Sequence, residues 1–276
     1  MSKTQKKGGQ TLGEALQSAF TMVSILIAFV IAIIVYLYVM GNPVNFEGGN
    51  PDGHPLPGNY LAMIYKGGYI VPLLITVNLL VIIFAFERGI TLAKAAGKGR
   101  INVFVKQLQN FLANDKIEDA VAACDKQKGS LANVMKAGLL RYRALQNDPH
   151  LVKDQKILAL QKEFEEATAL ELPMLSRNLV ILSTIASISV LIGLLGTVLG
   201  MIRAFGALAQ AGAPDALALA TGISEALVNT AFGITGSTLA IIAFNYFSST
   251  IDSYTFKIDE AGFSLTQNFA ASLKNK

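Results

Sequence analysis

The sequence predicts an all-α, polytopic membrane protein with four transmembrane helices and a helical cytoplasmic domain between the second and the third. Three observations predict it. Of the 276 residues, 52% are hydrophobic and 15% charged, with a mean hydropathy of +0.47, which is too apolar for an ordinary soluble domain. Four apolar runs reach the length of roughly 18 residues or more that suggests a membrane span. Between the second and third runs the texture changes, because residues 88–177 hold 15 of the 23 Lys and Arg.

Residues 1–19 are polar, with Lys3, Lys6 and Lys7, and read as a cytoplasmic tail. Residues 20–40 are an uninterrupted apolar run without charge. A secretory signal has a shorter apolar region and ends in a small-residue cleavage site, whereas this run ends YLYVMGNP, so it reads as a retained span. Its Ile, Val and Ala surface suits lipid all round. Residues 41–68, with GGNPDGHPLPGN in the middle, read as a periplasmic loop without a core of its own, and His54 there as a solvated side chain rather than a metal ligand. Residues 69–86 are the second span. Pro72 sits in its first turn, where a missing amide donor costs little, and Glu87 and Arg88 close it.

Residues 87–177 form the cytoplasmic helical domain. Val103, Leu108, Phe111 and Leu112 fall at helical spacing, SLANVMKAGLLRY from Ser130 makes an amphipathic helix, and Asp148-Pro149 breaks the connection to a helix over 154–172. Glu163, Glu165, Glu166 and Glu171 interleave with Lys153, Lys156 and Lys162, the pattern of a solvated helix face rather than of metal or acid–base chemistry. His150 reads as solvated too. The single Cys124 excludes an internal disulfide and reads as a small filler in a reducing compartment.

The third span is 178–205, a periplasmic turn follows at 206–221, the fourth span is 222–247, and 248–276 is a polar cytoplasmic tail. The positive-inside rule then puts both termini and the middle domain in the cytoplasm of an inner-membrane protein. The formal charge of +4 is thereby explained by topology, with membrane lipid as the surroundings and no nucleic-acid partner.

The last two spans carry the most information. Their arms read GLLGTVLGMIRAF at 193–205 and GISEALVNTAFGITGS at 222–237. Ala186, Ser189, Gly193, Gly196, Gly200 and Ala204 recur at steps of three and four, and Ala226, Thr230, Gly233 and Ser237 do the same on the second arm. The glycines Gly193, Gly196, Gly200, Gly233 and Gly236 read as helix-packing positions, since no phosphate-loop Lys follows them. If the arms turn between them, Thr197 and Thr230 share one membrane level about 12 Å deep, with Asn229 and Glu225 beside them. Hydroxyls and amides within a membrane mark water-accessible surfaces, although Ser and Thr also bond simply to their own helix. Thr197, Thr230, Asn229 and Glu225 are the candidate proton-pathway, pore-lining residues. Apart from Glu225 near the rim the spans hold no carboxylate, so a central one must come from another chain. No nucleophile with a base, no paired His and no cofactor motif occurs, so neither catalysis, a metal nor a cofactor is expected.

GLLGTVLGMIRAF followed by GISEALVNTAFGITGS resembles the paired signature of the MotA/TolQ/ExbB proton channel family, most closely its ExbB branch. Glu87-Arg88 and the AGL within SLANVMKAGLL are similar to weaker family features, and the likeness covers about residues 69–266. The resemblance implies a homopentamer around a dimer of an ExbD-like, single-span partner bearing an aspartate. It also implies a TonB-like transducer that opens outer-membrane receptors, pore threonines at Thr197 and Thr230, and an outer-rim glutamate at Glu225. The extra span at 20–40 departs from the three-span ExbB plan. A TolQ-like envelope role, a motility stator or a non-conducting scaffold are the alternatives; a solute transporter lacks the broken helix and intramembrane charge it wants.

Overall fold

The computed structural model describes residues 12–51, 53–114, 116–146, 148–209 and 216–273. The tail at 1–11, part of the turn predicted at 206–221 (210–215) and the last residues, 274–276, lie outside the described residues. The described chain is all-α, and four of its helices are long and apolar enough to cross a membrane. It is a polytopic membrane protein. Among the described residues nine α-helices follow in order: α1 (Leu12–Ile34), α2 (Tyr60–Tyr65), α3 (Val71–Ala96), α4 (Ile101–Ala113), α5 (Ile117–Gln127), α6 (Ser130–Gln146), α7 (Lys153–Ser176), α8 (Leu179–Leu208) and α9 (Ala216–Ser272). They divide into two compact units. The first holds the described residues up to Phe84 together with Ile181–Ala243, and the second holds Ala85–Val180 with the described residues from Phe244 on.

In the first unit α1 runs on into a wider π-helical stretch, Val35–Met40, closed by Gly41 N–H donating to the Tyr36 carbonyl at 2.9 Å. This wider winding has a packing consequence. Steps of four residues drift round an α-helix, and the looser turn brings them back, so Ala28, Ala32, Tyr36 and Met40 stay on one buried stripe. The stripe packs against Val71, Ile75 and Phe232, while Leu26, Val30 and Leu37 remain exposed. The span expected to suit lipid all round therefore has one face committed to protein.

Residues 41–68 do have a core, contrary to the expectation from their Pro and Gly. Phe46 is buried, bridges to Pro55 and meets the Tyr65 ring at 5.5 Å, with the Lys66 ammonium 5.6 Å from the Phe46 ring centre. Asn59 accepts from Ala62 N–H at 3.1 Å to cap α2 and donates to Asn45 at 2.9 Å. Aromatic rings and two asparagines thus supply the order that composition concealed.

The second unit packs α4 to α7 and the later part of α9 around large apolar side chains, including Phe104, Leu108, Met135, Leu139, Leu160 and Phe164. The stretch 248–276, expected as a polar tail, is instead helix as far as Ser272 and supplies Ile258, Ala261, Leu265 and Phe269 to this core. The Tyr142 ring meets that of Phe269 at 4.5 Å, tilted by 57°, and its hydroxyl donates to Ser272 Oγ at 3.2 Å. Apolar residues at 258, 261, 265 and 269 repeat at helical spacing. Their dilution among Lys, Asp and Ser made them read as tail. Arg88 is buried, bonded to Glu87 at 2.5 Å and to the Leu175 carbonyl at 3.1 Å.

Candidate functional site

The site is built on α8 and α9, whose backbones meet through glycine. A Cβ on Gly193 would stand 2.9 Å from the Asn229 carbonyl and 3.0 Å from Gly233 Cα. One on Gly200 would stand 2.7 Å from both Ala226 N and the Gly222 carbonyl, and one on Gly233 2.8 Å from Gly193 Cα. Backbone atoms cannot give way at such distances, so no other residue fits without parting the helices. Gly196 makes room for the Asn229 side chain, and Gly236 for Ser189 and Asn78. Hydroxyls then bind across the seam: Ser189 donates to the Gly233 carbonyl at 2.9 Å and Ser237 to the Ala186 carbonyl at 2.6 Å.

Close backbones bring Thr197 and Thr230 together. Their hydroxyls are hydrogen-bonded to each other, and both reach the Ala226 carbonyl, Thr230 at 3.0 Å and Thr197 at 3.3 Å. Thr197 also lies 3.1 Å from the carbonyl of Gly193 on its own helix. Both threonines are half-buried. Such a pair passes hydrogen bonds along a path but holds no charge, since a hydroxyl does not titrate near neutral pH.

Asn229 and Glu225 point elsewhere. Asn229 is fully buried and donates to the Gly67 carbonyl at 2.9 Å, while its Oδ1 has no hydrogen-bond partner among the described residues. Glu225 is buried as well, with both carboxylate oxygens on Arg203 Nη1, at 2.7 and 2.8 Å. The four predicted residues accordingly form a threonine pair on one side of α9 and an Asn229, Glu225 pair turned toward the segment preceding α3. Arg203, Gly67, Gly68, Tyr69 and Asn78 were not among the candidate residues that the sequence singled out. One signal was available: a lone arginine in an otherwise uncharged apolar arm wants a buried carboxylate. Among the described residues no group of three His, Cys, Asp or Glu converges to hold a metal ion.

Residues 126–260, which include both arms, match the model of the MotA/TolQ/ExbB proton channel family. The chain is similar to the Tol-Pal system protein TolQ of Pseudomonas aeruginosa, 28% identical over 167 residues that make up 60% of this chain and 71% of that one. It is 41% identical over 87 residues to a putative biopolymer transport protein, ExbB-like 3, of Synechocystis, covering 31% of this chain and 41% of the relative. To the biopolymer transport protein ExbB of Salmonella typhimurium it is 40% identical over 73 residues, 26% of this chain and 30% of the other. The match thus spans less than half the length of these two ExbB relatives. With the glycine seam and the threonine pair inside the matched region, residues 126–260 of the chain are similar to the MotA/TolQ/ExbB proton channel family.

Proposed function

We propose that the chain is the channel subunit of an ExbB-like inner-membrane motor, with both termini and the second unit in the cytoplasm. In this reading it forms a homopentamer around a dimer of an ExbD-like, single-span partner and uses the proton motive force to energise a TonB-like transducer. It does transport work and catalyses no covalent chemistry. The observation that carries the reading is the Thr197–Thr230 hydroxyl pair, half-exposed where α8 and α9 meet, at a level with no carboxylate of its own. A threonine surface conducts only if another chain brings a titratable group to it, which is what an aspartate on a partner helix supplies. Each charge moved through the membrane yields about 2.3 kcal/mol per 100 mV, so a few protons suffice for mechanical work.

The test is co-purification with the product of an adjacent gene for a single-span, Asp-bearing protein, then native mass and proton flux in vesicles. A complex of five copies to two that conducts supports the motor; Thr230→Val then lowers flux at least about tenfold, or 1.4 kcal/mol of barrier, with assembly unchanged. A chain that ignores such a partner removes the proposal. The TolQ match is the longer of those above and favours a second reading, the same machinery serving envelope maintenance. The two differ in whether deletion impairs uptake through outer-membrane receptors or weakens resistance to detergent.

A further inference from the structure

The cover over Glu225 is built by the N-terminal third of the chain, ahead of the family-matched region that begins at residue 126. Tyr36 on the first span donates to the Tyr65 carbonyl at 3.1 Å and stacks on the Tyr65 ring at 4.7 Å, which fixes the end of α2. The backbone then turns at Gly67 and Gly68. The Gly67 carbonyl is the acceptor for Asn229. Gly68 has φ +76, and a Cβ there would stand 3.0 Å from Glu225 Cδ and 3.1 Å from Arg203 Nη1, so glycine is required both for conformation and for space. The next ring, Tyr69, lies 5.8 Å from the Arg203 guanidinium carbon. Under this turn the Glu225 side chain is 3% exposed, whereas that of Arg203 is 49% exposed.

A carboxylate so deeply covered keeps its charge only with a partner. Among the described residues that partner is Arg203. On the covering segments the phenols of Tyr36, Tyr65 and Tyr69 carry no positive charge, and Lys66, the cation between Tyr65 and Gly67, has its ammonium 5.6 Å from the centre of the Phe46 ring. We propose that Arg203 and the turn at residues 67–69 form a lock on Glu225, holding its carboxylate ionised and out of the aqueous phase until the turn lifts. Arg203 is thus a positioning residue, and the lock regulates proton access to the end of the hairpin that the proposed function assigns to the outer side. The first span gains a purpose as well: through Tyr36 and Tyr65 it anchors the turn.

The experiment treats the full chain in lipid nanodiscs with dicyclohexylcarbodiimide, which reacts with protonated carboxyls, and measures the Glu225 adduct by mass spectrometry as a function of pH. In the wild type Glu225 reacts only under acidic conditions. Arg203→Gln removes the counter-charge, so the buried carboxyl takes up a proton and labels at least about tenfold faster at neutral pH, the ratio for one unit of pKa. Arg203→Lys restores slow labelling. Gly68→Ala, with the ion pair's residues intact, also labels faster and serves if Arg203→Gln does not accumulate. Labelling of Arg203→Gln or Gly68→Ala at the wild-type rate overturns the lock. The readout needs neither partner nor proton flux, so a non-conducting complex tells against the proposed function and leaves the lock to be judged on labelling.

Discussion

In the first unit two helices meet glycine to glycine, Gly193 against Gly233, and serine hydroxyls bond across the join. In the second, the glycine on α6, Gly138, makes room for the ring of Phe164, among Leu139, Leu160 and Phe269. Each unit is packed for its solvent. An unfolded segment in lipid is already surrounded by hydrocarbon, so burying leucine there gains little, and association depends on close backbone contact and interhelical hydrogen bonds. A unit whose surroundings are water gains about 25 cal/mol for each Å² of apolar surface it covers, and large side chains cover most. The lesson is that hydrophobicity marks both regions, while only residue size tells which of them is held by it.

The sharpest way to break this comparison is to put bulk into the glycine seam. Gly233→Leu places a side chain where Gly193 Cα already stands, and the expected outcome is loss of the folded chain from membranes, read by immunoblot and size exclusion. Normal accumulation would show that the backbones can part. Next in size is Leu139→Ala in the helical unit, fully buried, with an expected loss of about 2–5 kcal/mol. Cys124 in the same core reports it, because burial pushes its thiol from an ordinary 9.0 up to about 12 and the folded form resists alkylation. The mutant's thiol is expected to alkylate faster at neutral pH. The same shift has a sign: between 9.0 and about 12 the unfolded chain holds fewer protons than the folded one, so this unit loses stability as pH rises through that window.

A smaller effect is expected for the same substitution in the other unit. Leu74→Ala also removes a fully buried leucine, yet the water-to-oil part of the cost is missing there and only lost packing remains. About half the cost of Leu139→Ala is expected, measured by denaturation from mixed micelles. Equal costs would mean that lipid and water drive the two units alike.

This asymmetry also explains what the sequence disclosed of fold and site. Four apolar runs and the threonine pair were legible, because span length and i, i+4 spacing are local properties, and Thr197 and Thr230 lie on arms joined by one turn. Asn229 with Gly67 was not, since Gly67 was identifiable as a partner only once the backbone turn between α2 and α3 had been placed, while Arg203 with Glu225 left a single signal, the lone arginine of an apolar arm. Residues 41–68 hid an aromatic core behind turn-forming composition. The final helical stretch hid a core face behind its charges, and the buried stripe of the first span was hidden for a third reason: its outward residues are as apolar as its inward ones, so no contrast marks the face.

The smallest predicted effect concerns the hydroxyls of the seam. Ser237 donates to the Ala186 carbonyl at 2.6 Å, and in lipid such a bond has no water to compete with it. An unfolded helix in lipid, however, lets the same hydroxyl bond back to its own carbonyls, which recovers most of the energy. Ser237→Ala is accordingly expected to cost only about 0.6 kcal/mol, and under about 2 kcal/mol in any case. A loss as large as that of Leu139→Ala would mean that hydrogen bonds, rather than the close approach of Gly193 and Gly233, hold the seam. It would also move Thr197 and Thr230, joined by the same kind of bond, from a conducting surface to a structural clasp, because a pair that secures the fold cannot exchange partners as a proton path requires.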